Sequence, residues 1–167
     1  MRVVEAALAA LLGLCVAGSA EARVRSSGSG QTYGYVYGEF THFDAPGLTM
    51  DGVGGGAGWH FTRYLGIQGG GEYFRKTPLD MTTGNVELML TYPANDKFSL
   101  YAGLGGSYLH ASANPGFGSI TRQSTGYRAS LGFEYWFWEH VGLRAGYHRQ
   151  NAGGVADEMG VGFAYRV

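Results

Sequence analysis

The chain has 167 residues, only 15% of them charged, and 30 are glycine; a water-exposed helical domain would carry far more Lys and Glu. A net charge of −1 marks neither a nucleic-acid-binding surface nor an acidic tail. An aromatic content of 14% argues against disorder, and the glycines lack the strict three-residue period of collagen.

Arg2 precedes an uninterrupted run of apolar residues and glycine from Ala6 to Ala17, followed by Gly18, Ser19, Ala20 and Ala22. This is the layout of a secretory signal peptide over residues 1–22, with cleavage after Ala20 or Ala22. The run is too short for a membrane-spanning helix, which takes about 20 residues. Cys15, the single cysteine, would leave with the signal, so no thiol chemistry or disulfide is expected. Loss of Arg2, Glu5 and Glu21 would leave a neutral chain. Residues 23–30 read as a flexible Ser/Gly-rich lead-in.

From 31 to 167 apolar residues alternate with period two, and nothing shows a helical period. Eight strands are predicted, near 31–42, 50–61, 65–75, 81–92, 98–109, 124–136, 141–150 and 157–167. Pro46, Pro78, Pro93 and Pro115 fall between them, where proline is tolerated. In the first strand Val36 and Phe40 are expected outward, with Tyr35, Tyr37 and Glu39 inward. In the fourth, Val86, Leu88 and Leu90 oppose Asn85, Glu87 and Met89. In the fifth, Leu100, Ala102 and Leu104 oppose Tyr101, Gly103 and Gly105. In the sixth, Tyr127, Ala129, Leu131, Phe133 and Tyr135 oppose Arg128, Ser130, Gly132, Glu134 and Trp136. The seventh sets Val141, Leu143, Ala145 and Tyr147 against Gly142, Arg144, Gly146 and His148. The eighth sets Met159, Val161, Phe163 and Tyr165 against Glu158, Gly160, Gly162 and Ala164.

The non-apolar face is glycine, serine and isolated charges rather than the Lys, Glu and Thr of a solvated strand surface. The only lysines, Lys76 and Lys97, fall in predicted loops. The apolar face is therefore the outer one and meets lipid. The fold class that follows is all-β: an eight-stranded antiparallel up-and-down transmembrane β-barrel, closed so that no backbone group is left unpaired in lipid. Odd-to-even connections are expected to be the longer, external ones, near 43–49, 76–80, 110–123 and 151–156. Trp59, Phe61, Tyr64, Tyr92, Phe98, Tyr135, Trp136, Phe137 and Trp138 gather at the other end and read as a periplasmic aromatic girdle.

With its signal sequence, eight alternating strands and terminal Gly-Val-Gly-Phe-Ala-Tyr-Arg-Val, the chain resembles the small outer-membrane β-barrels of Gram-negative bacteria, the OmpA/OmpX-like and porin-family barrel domains. The resemblance spans about 30–167 and implies a bacterial outer-membrane location, outer-membrane lipid as surroundings and a monomer. It also implies that the barrel-assembly machinery reads the last strand, through Met159, Val161, Phe163, Tyr165 and Val167. Val167 stands where that family usually ends in Phe.

Gly52-Val53-Gly54 with Ala57 fits a dinucleotide fingerprint formally, but the segment continues as a strand to Trp59 and Phe61, where the motif needs a helix. His42, His60, His110, His140 and His148 lack metal-ligand spacing, and neither a metal nor another cofactor is expected. Gly146 to Gly154 resembles the active-site strand of outer-membrane lipid A deacylases. His148, Asn151 and Glu158 match that pattern, but Gln150 occupies the serine position, and a carboxamide is no nucleophile.

The inward charges form the main constellation. Glu39, Glu72, Glu87, Glu134 and Glu158 face Arg128 and Arg144, with His60 and His148 nearby. Buried charges must be paired, and an eight-stranded interior holds little besides side chains. The expected function is a non-enzymatic envelope barrel with a filled polar interior, structural or contacting partners through short external loops. The competing readings are a lipid A deacylase-like hydrolase and a narrow small-solute pore. Five acids against two arginines leave an excess to be balanced by protons, a cationic histidine or water.

Overall fold

A computed structural model describes residues 32–114, 118 and 120–167. The expected signal segment, with Cys15, and the lead-in lie outside the described residues. Eight strands follow one another: β1 (Tyr33–Ala45), β2 (Leu48–His60), β3 (Leu65–Lys76), β4 (Leu79–Pro93), β5 (Phe98–Ala113), β6 (Ile120–Trp136), β7 (Val141–Gln150) and β8 (Ala156–Arg166). Each pairs antiparallel with the next, and β8 pairs with β1, closing the barrel. Closure leaves no unpaired sheet edge, which is what a strand protein in lipid requires.

Cross-strand register carries one face around the whole wall. Phe40 lies opposite Val53 on one side and Val161 on the other, and all three point out. The Gly-rich β2 and β3, which show little alternation of their own, thus take their faces from β1 and β4. Val86, Leu88, Leu90, Leu104, Leu131 and Phe163 continue the exposed apolar band. Leu131 sits mid-strand and is 61% exposed, while its neighbour Ser130 is buried. Leu131→Arg is expected to destabilise the inserted barrel by about 2–4 kcal/mol near the bilayer midplane. Reversible unfolding in lipid vesicles reads this directly, and wild-type stability in the variant would mean that this face does not meet lipid.

The end where β1 begins and β8 finishes carries three four-residue connections of one design. In residues 61–64, 94–97 and 137–140, two successive amides donate to the carbonyl of the residue that opens the next strand: Phe61 and Thr62 to Leu65, Ala94 and Asn95 to Phe98, Phe137 and Trp138 to Val141. The Thr62 hydroxyl and Asn95 carboxamide oxygens each accept two further amides, closing the loop from inside.

The opposite end, the rim, departs from expectation. Pro46 and Gly47 alone join β1 to β2, and Thr77 and Pro78 alone join β3 to β4. Gly47 has φ +80°, a conformation that glycine takes without a Cβ penalty. Two odd-to-even connections are therefore shorter than the four-residue turns, not longer. Sequence expected for loops is instead strand: β1 and β2 stay paired out to Ala45 and Leu48, and β5 runs to Ala113. Pro93, expected between strands, closes β4.

At the rim the polarity of the wall inverts. Outward positions become polar: His42 meets Asp51 at 2.7 Å, Arg75 meets Asp80 at 3.4 Å, and Arg149 meets Asp157 at 3.8 Å. Inward positions become apolar: Phe43, Met50, Phe74, Met81, Leu109, Ala152 and Ala156 form one buried cluster. Apolar side chains turn inward where water lies outside, so this part of the wall stands clear of the lipid and is built like a soluble barrel.

Candidate functional site

Below the rim cluster, the strand pleat aims every second side chain of all eight strands into one lumen. The first polar layer centres on Arg128 of β6, which is 1% exposed. Its guanidinium reaches Glu72 of β3 at 2.7 Å, Glu87 of β4 at 3.1 Å and Glu158 of β8 at 2.8 Å. The remaining carboxylate capacity is taken by neighbours on the same faces. Thr83 and Asn85 donate to Glu72, Ser130 donates to Glu87, and Gln150 donates to Glu158. A guanidinium offers five donors in a fixed fork, and three carboxylates from three strands use it as a common hub.

The second layer centres on Arg144 of β7. It meets Glu134, its register partner on β6, at 3.1 Å, and donates to the Gln68 carboxamide oxygen at 2.7 Å. Tyr35 donates to the same oxygen. The guanidinium lies 4.3 Å from the Tyr101 ring centre and 4.5 Å from that of Tyr37, so it is held by ring faces as well as by charge. Tyr101 fits only because the neighbouring strands β6 and β7 are bare beside it: a side chain at Gly132 or Gly146 would collide with its hydroxyl.

A third layer closes the terminal end. Arg166 lies over the rings of Tyr33 at 4.3 Å and Trp136 at 4.1 Å, and His60 stacks on Tyr33 at 4.5 Å. Trp136 is 3% exposed and points into the lumen, which removes it from the expected girdle. Trp59, Phe61, Tyr64, Tyr92, Tyr135 and Trp138 remain exposed at that end.

Every residue of the expected interior set is buried: Glu39, Glu72, Glu87, Arg128, Glu134, Arg144, Glu158, His60 and His148. The geometry joins six of them in two ion-pair groups. Glu39 belongs to neither group, and among the described residues no partner hydrogen-bonds the His148 ring. The sequence puts Asn85 and Ser130 on the inner face without marking them as partners of the charges, and the neutral Gln68, Thr83 and Gln150 and the charged Arg166 stand outside the expected set. All share the inward parity of their strands, which was the available signal. Arg166 is a third inward guanidinium, so the excess of five acids is over three arginines rather than two. Met159, Val161, Phe163 and Tyr165 of the last strand all point outward and are exposed, as is Val167. Among the described residues, no three His, Cys, Asp or Glu side chains gather where they would hold a metal ion.

The sequence model described as the outer membrane protein beta-barrel domain matches residues 6–166. The chain belongs to this family. It is a barrel of the bacterial outer membrane, and its apolar band meets outer-membrane lipid. Solved barrels share the architecture at low sequence identity. Ail, the attachment invasion locus protein of Yersinia pestis, crystallised with the heparin analogue sucrose octasulfate, is 18% identical, with a TM-score of 0.63 over 84% of this chain and 100% of that one. The N-terminal β-barrel domain of Pseudomonas aeruginosa OprF is 14% identical, with a TM-score of 0.68 over 82% and 100%. Neisserial surface protein A is 15% identical, with a TM-score of 0.63 over 83% and 99%. No curated protein matches the chain.

Proposed function

We propose that this outer-membrane barrel is a closed, non-enzymatic envelope protein, monomeric in the membrane, whose interior is a structural core rather than a passage. The observation that carries the reading is the stacking of four occupied layers: the apolar cluster at the rim, the Arg128 hub, the Arg144 hub, and the Arg166–Trp136–Tyr33 stack at the other end. An ion would have to cross apolar side chains at one mouth and displace a guanidinium held between two rings at the other.

The deacylase reading loses support from the same geometry. His148, Gln150 and Glu158 are enclosed in the lumen, away from any lipid substrate, and Gln150 is engaged with Glu158. Asn151 is spent on the backbone, accepting the Tyr127 amide at 2.8 Å. In this reading residues 1–22 direct export and are removed, and the assembly machinery reads the outward row of β8 ending at Val167. The rim faces the outside and is the contact surface. Its charges are largely paired with one another and its first two turns are two residues long, which suits a compact structural surface better than a large adhesive platform.

Purified protein in a planar bilayer tests the reading. No steady current is expected from the native chain. A reproducible open conductance, enlarged in Arg144→Ala, would make these charges the lining of a pore. Lipid A from envelopes with and without the protein should have the same mass spectrum, and loss of an acyl chain only when the protein is present would restore the hydrolase.

A further inference from the structure

The eight strands do not end at one height. β6 stays paired with β5 up to Ile120, opposite Ala113, and β5 stays paired with β4 to the same level, where Ala113 lies opposite Leu79. On its other side β6 pairs with β7 only from Arg128, opposite Gln150, downward. Asn151 supplies the last rung: its amide donates to the Tyr127 carbonyl, and its carboxamide oxygen accepts the Tyr127 amide at 2.8 Å. The chain then leaves the wall. Ala152 is buried in the rim cluster, and Gly153 lies beside Leu109 and Ser124. Gly126 permits this turn, because a side chain there would collide with Asn151 and the Ala152 amide.

What remains is a bare strand edge from Ile120 to Gly126, roughly 20 Å long. Backbone groups along an antiparallel strand alternate in direction. Those of Arg122 and Ser124 point to β5. Those of Thr121, Gln123 and Thr125 share the direction of Tyr127 and point to the open side, where no described strand pairs with them. Exposed edges are ordinarily blunted by lysine, proline or a bulge. This one has none of the three: its outward side chains are Thr121, Gln123 and Thr125, all exposed, and its register with β5 runs without a break. A row of unpaired amides and carbonyls at strand spacing is the surface that an extended polypeptide completes by adding a strand. Arg122, on the inner row opposite Ala111, is exposed and has no ion pair among the described residues. An acidic side chain in the added strand would meet it.

We propose that the Ile120–Gly126 edge of β6 is a peptide-binding site, which takes an extended acidic segment of a partner protein outside the cell. This rests on the reading in which the rim faces outward. The current and lipid A measurements do not involve the edge, so that reading and this site can fail separately. A second copy in the same membrane does not fit. β6 descends toward the bilayer in every copy, tilted by about 35–45°, so a two-fold axis along the membrane normal would cross the two edges rather than lay them side by side.

Amide hydrogen exchange of the full barrel in nanodiscs, followed residue by residue by nuclear magnetic resonance, tests the site. The probe is a synthetic peptide as long as the edge, of threonine and valine with one glutamate placed opposite Arg122. In the free barrel the amides of Thr121, Gln123 and Thr125 should exchange at least about tenfold faster than those of Arg122 and Ser124. Peptide at about 1 mM should slow the first three at least about tenfold and leave the other two unchanged. Uniform exchange along the segment in the free barrel, or no added protection by the peptide, would overturn the proposal. The same peptide methylated on the amides that would face β6 should give no protection, and equal protection would overturn it without any change to the protein. Gln123→Pro removes an amide that faces the open side and that β5 does not use. It should abolish the effect while the barrel keeps its heat-dependent gel migration. Equal binding of a peptide with lysine in place of glutamate would overturn the acidic assignment. Association of barrels on facing vesicles, lost in Gln123→Pro, would make a second copy the occupant and overturn the partner named here.

Discussion

Replacing Arg128 with alanine is expected to destabilise the barrel by about 3–5 kcal/mol, the cost of leaving buried charges without their partner. The expectation rests on the hub geometry. One guanidinium serves Glu72, Glu87 and Glu158, and water cannot take its place readily because all four residues are enclosed. The cost is that of stranded carboxylates more than of lost attraction, so it should depend on what remains. Arg128→Met, which keeps much of the volume, should be nearly as damaging. Combining Arg128→Met with Glu72→Gln, Glu87→Gln and Glu158→Gln should recover most of the loss, since neutral amides can use Thr83, Asn85, Ser130 and Gln150 as partners. Reversible denaturant unfolding in lipid vesicles measures each step. Additive losses across the four substitutions would show that the residues do not act as one group.

How far the molecule can be read without coordinates follows from one physical rule. A strand shows period two when its faces meet different solvents, and here lipid outside and polar groups inside gave β4 to β8 a clear pattern. Leu131 beside Ser130, and Arg144 between Leu143 and Ala145, could be assigned by counting. In β2 and β3 only isolated polar residues such as His60 and Glu72 point to a face, because runs such as Gly54-Gly55-Gly56 and Gly69-Gly70-Gly71 present no contrast. Their faces are fixed by register with neighbours, which is a tertiary fact. Trp136 was drawn toward the girdle by its position at a strand end, yet parity places it inside, where Arg166 needs a ring face. The hubs were legible as a set of inward charges. Their pairing was not, because which Glu meets which Arg depends on the stagger between strands far apart in sequence.

The rim departs from the alternation expected of the sequence because that alternation depends on the membrane. Apolar-out holds only while the outside is lipid, and where the wall emerges into water the preference reverses. The sequence records the crossing as odd spacings between apolar residues. Phe40 points out and Phe43 points in, and Met50 points in while Val53 points out. Such a shift looks like an irregular strand end, and the residues beyond it read as loop.

Phe74→Ala should therefore be among the most damaging substitutions in the protein, at about 3–5 kcal/mol. Phe74 is wholly buried, its ring lies 5.3 Å from that of Phe43, and the cavity left behind would be walled by β-strands already fixed by pairing on both sides. Such a wall relaxes little, so the cavity term stays with the mutant. Phe40→Ala removes a side chain of the same size from a position 73% exposed on the lipid-facing wall. Lipid tails refill that space, and the loss should be clearly smaller. The damaged rim should still leave the barrel inserted and silent in a planar bilayer, because the arginine hubs and the Arg166 stack lie below it. Equal losses for Phe74→Ala and Phe40→Ala would mean that the rim cluster is no core. A current in Phe74→Ala alone would mean that the apolar cluster, rather than the charged layers beneath it, is what closes the barrel.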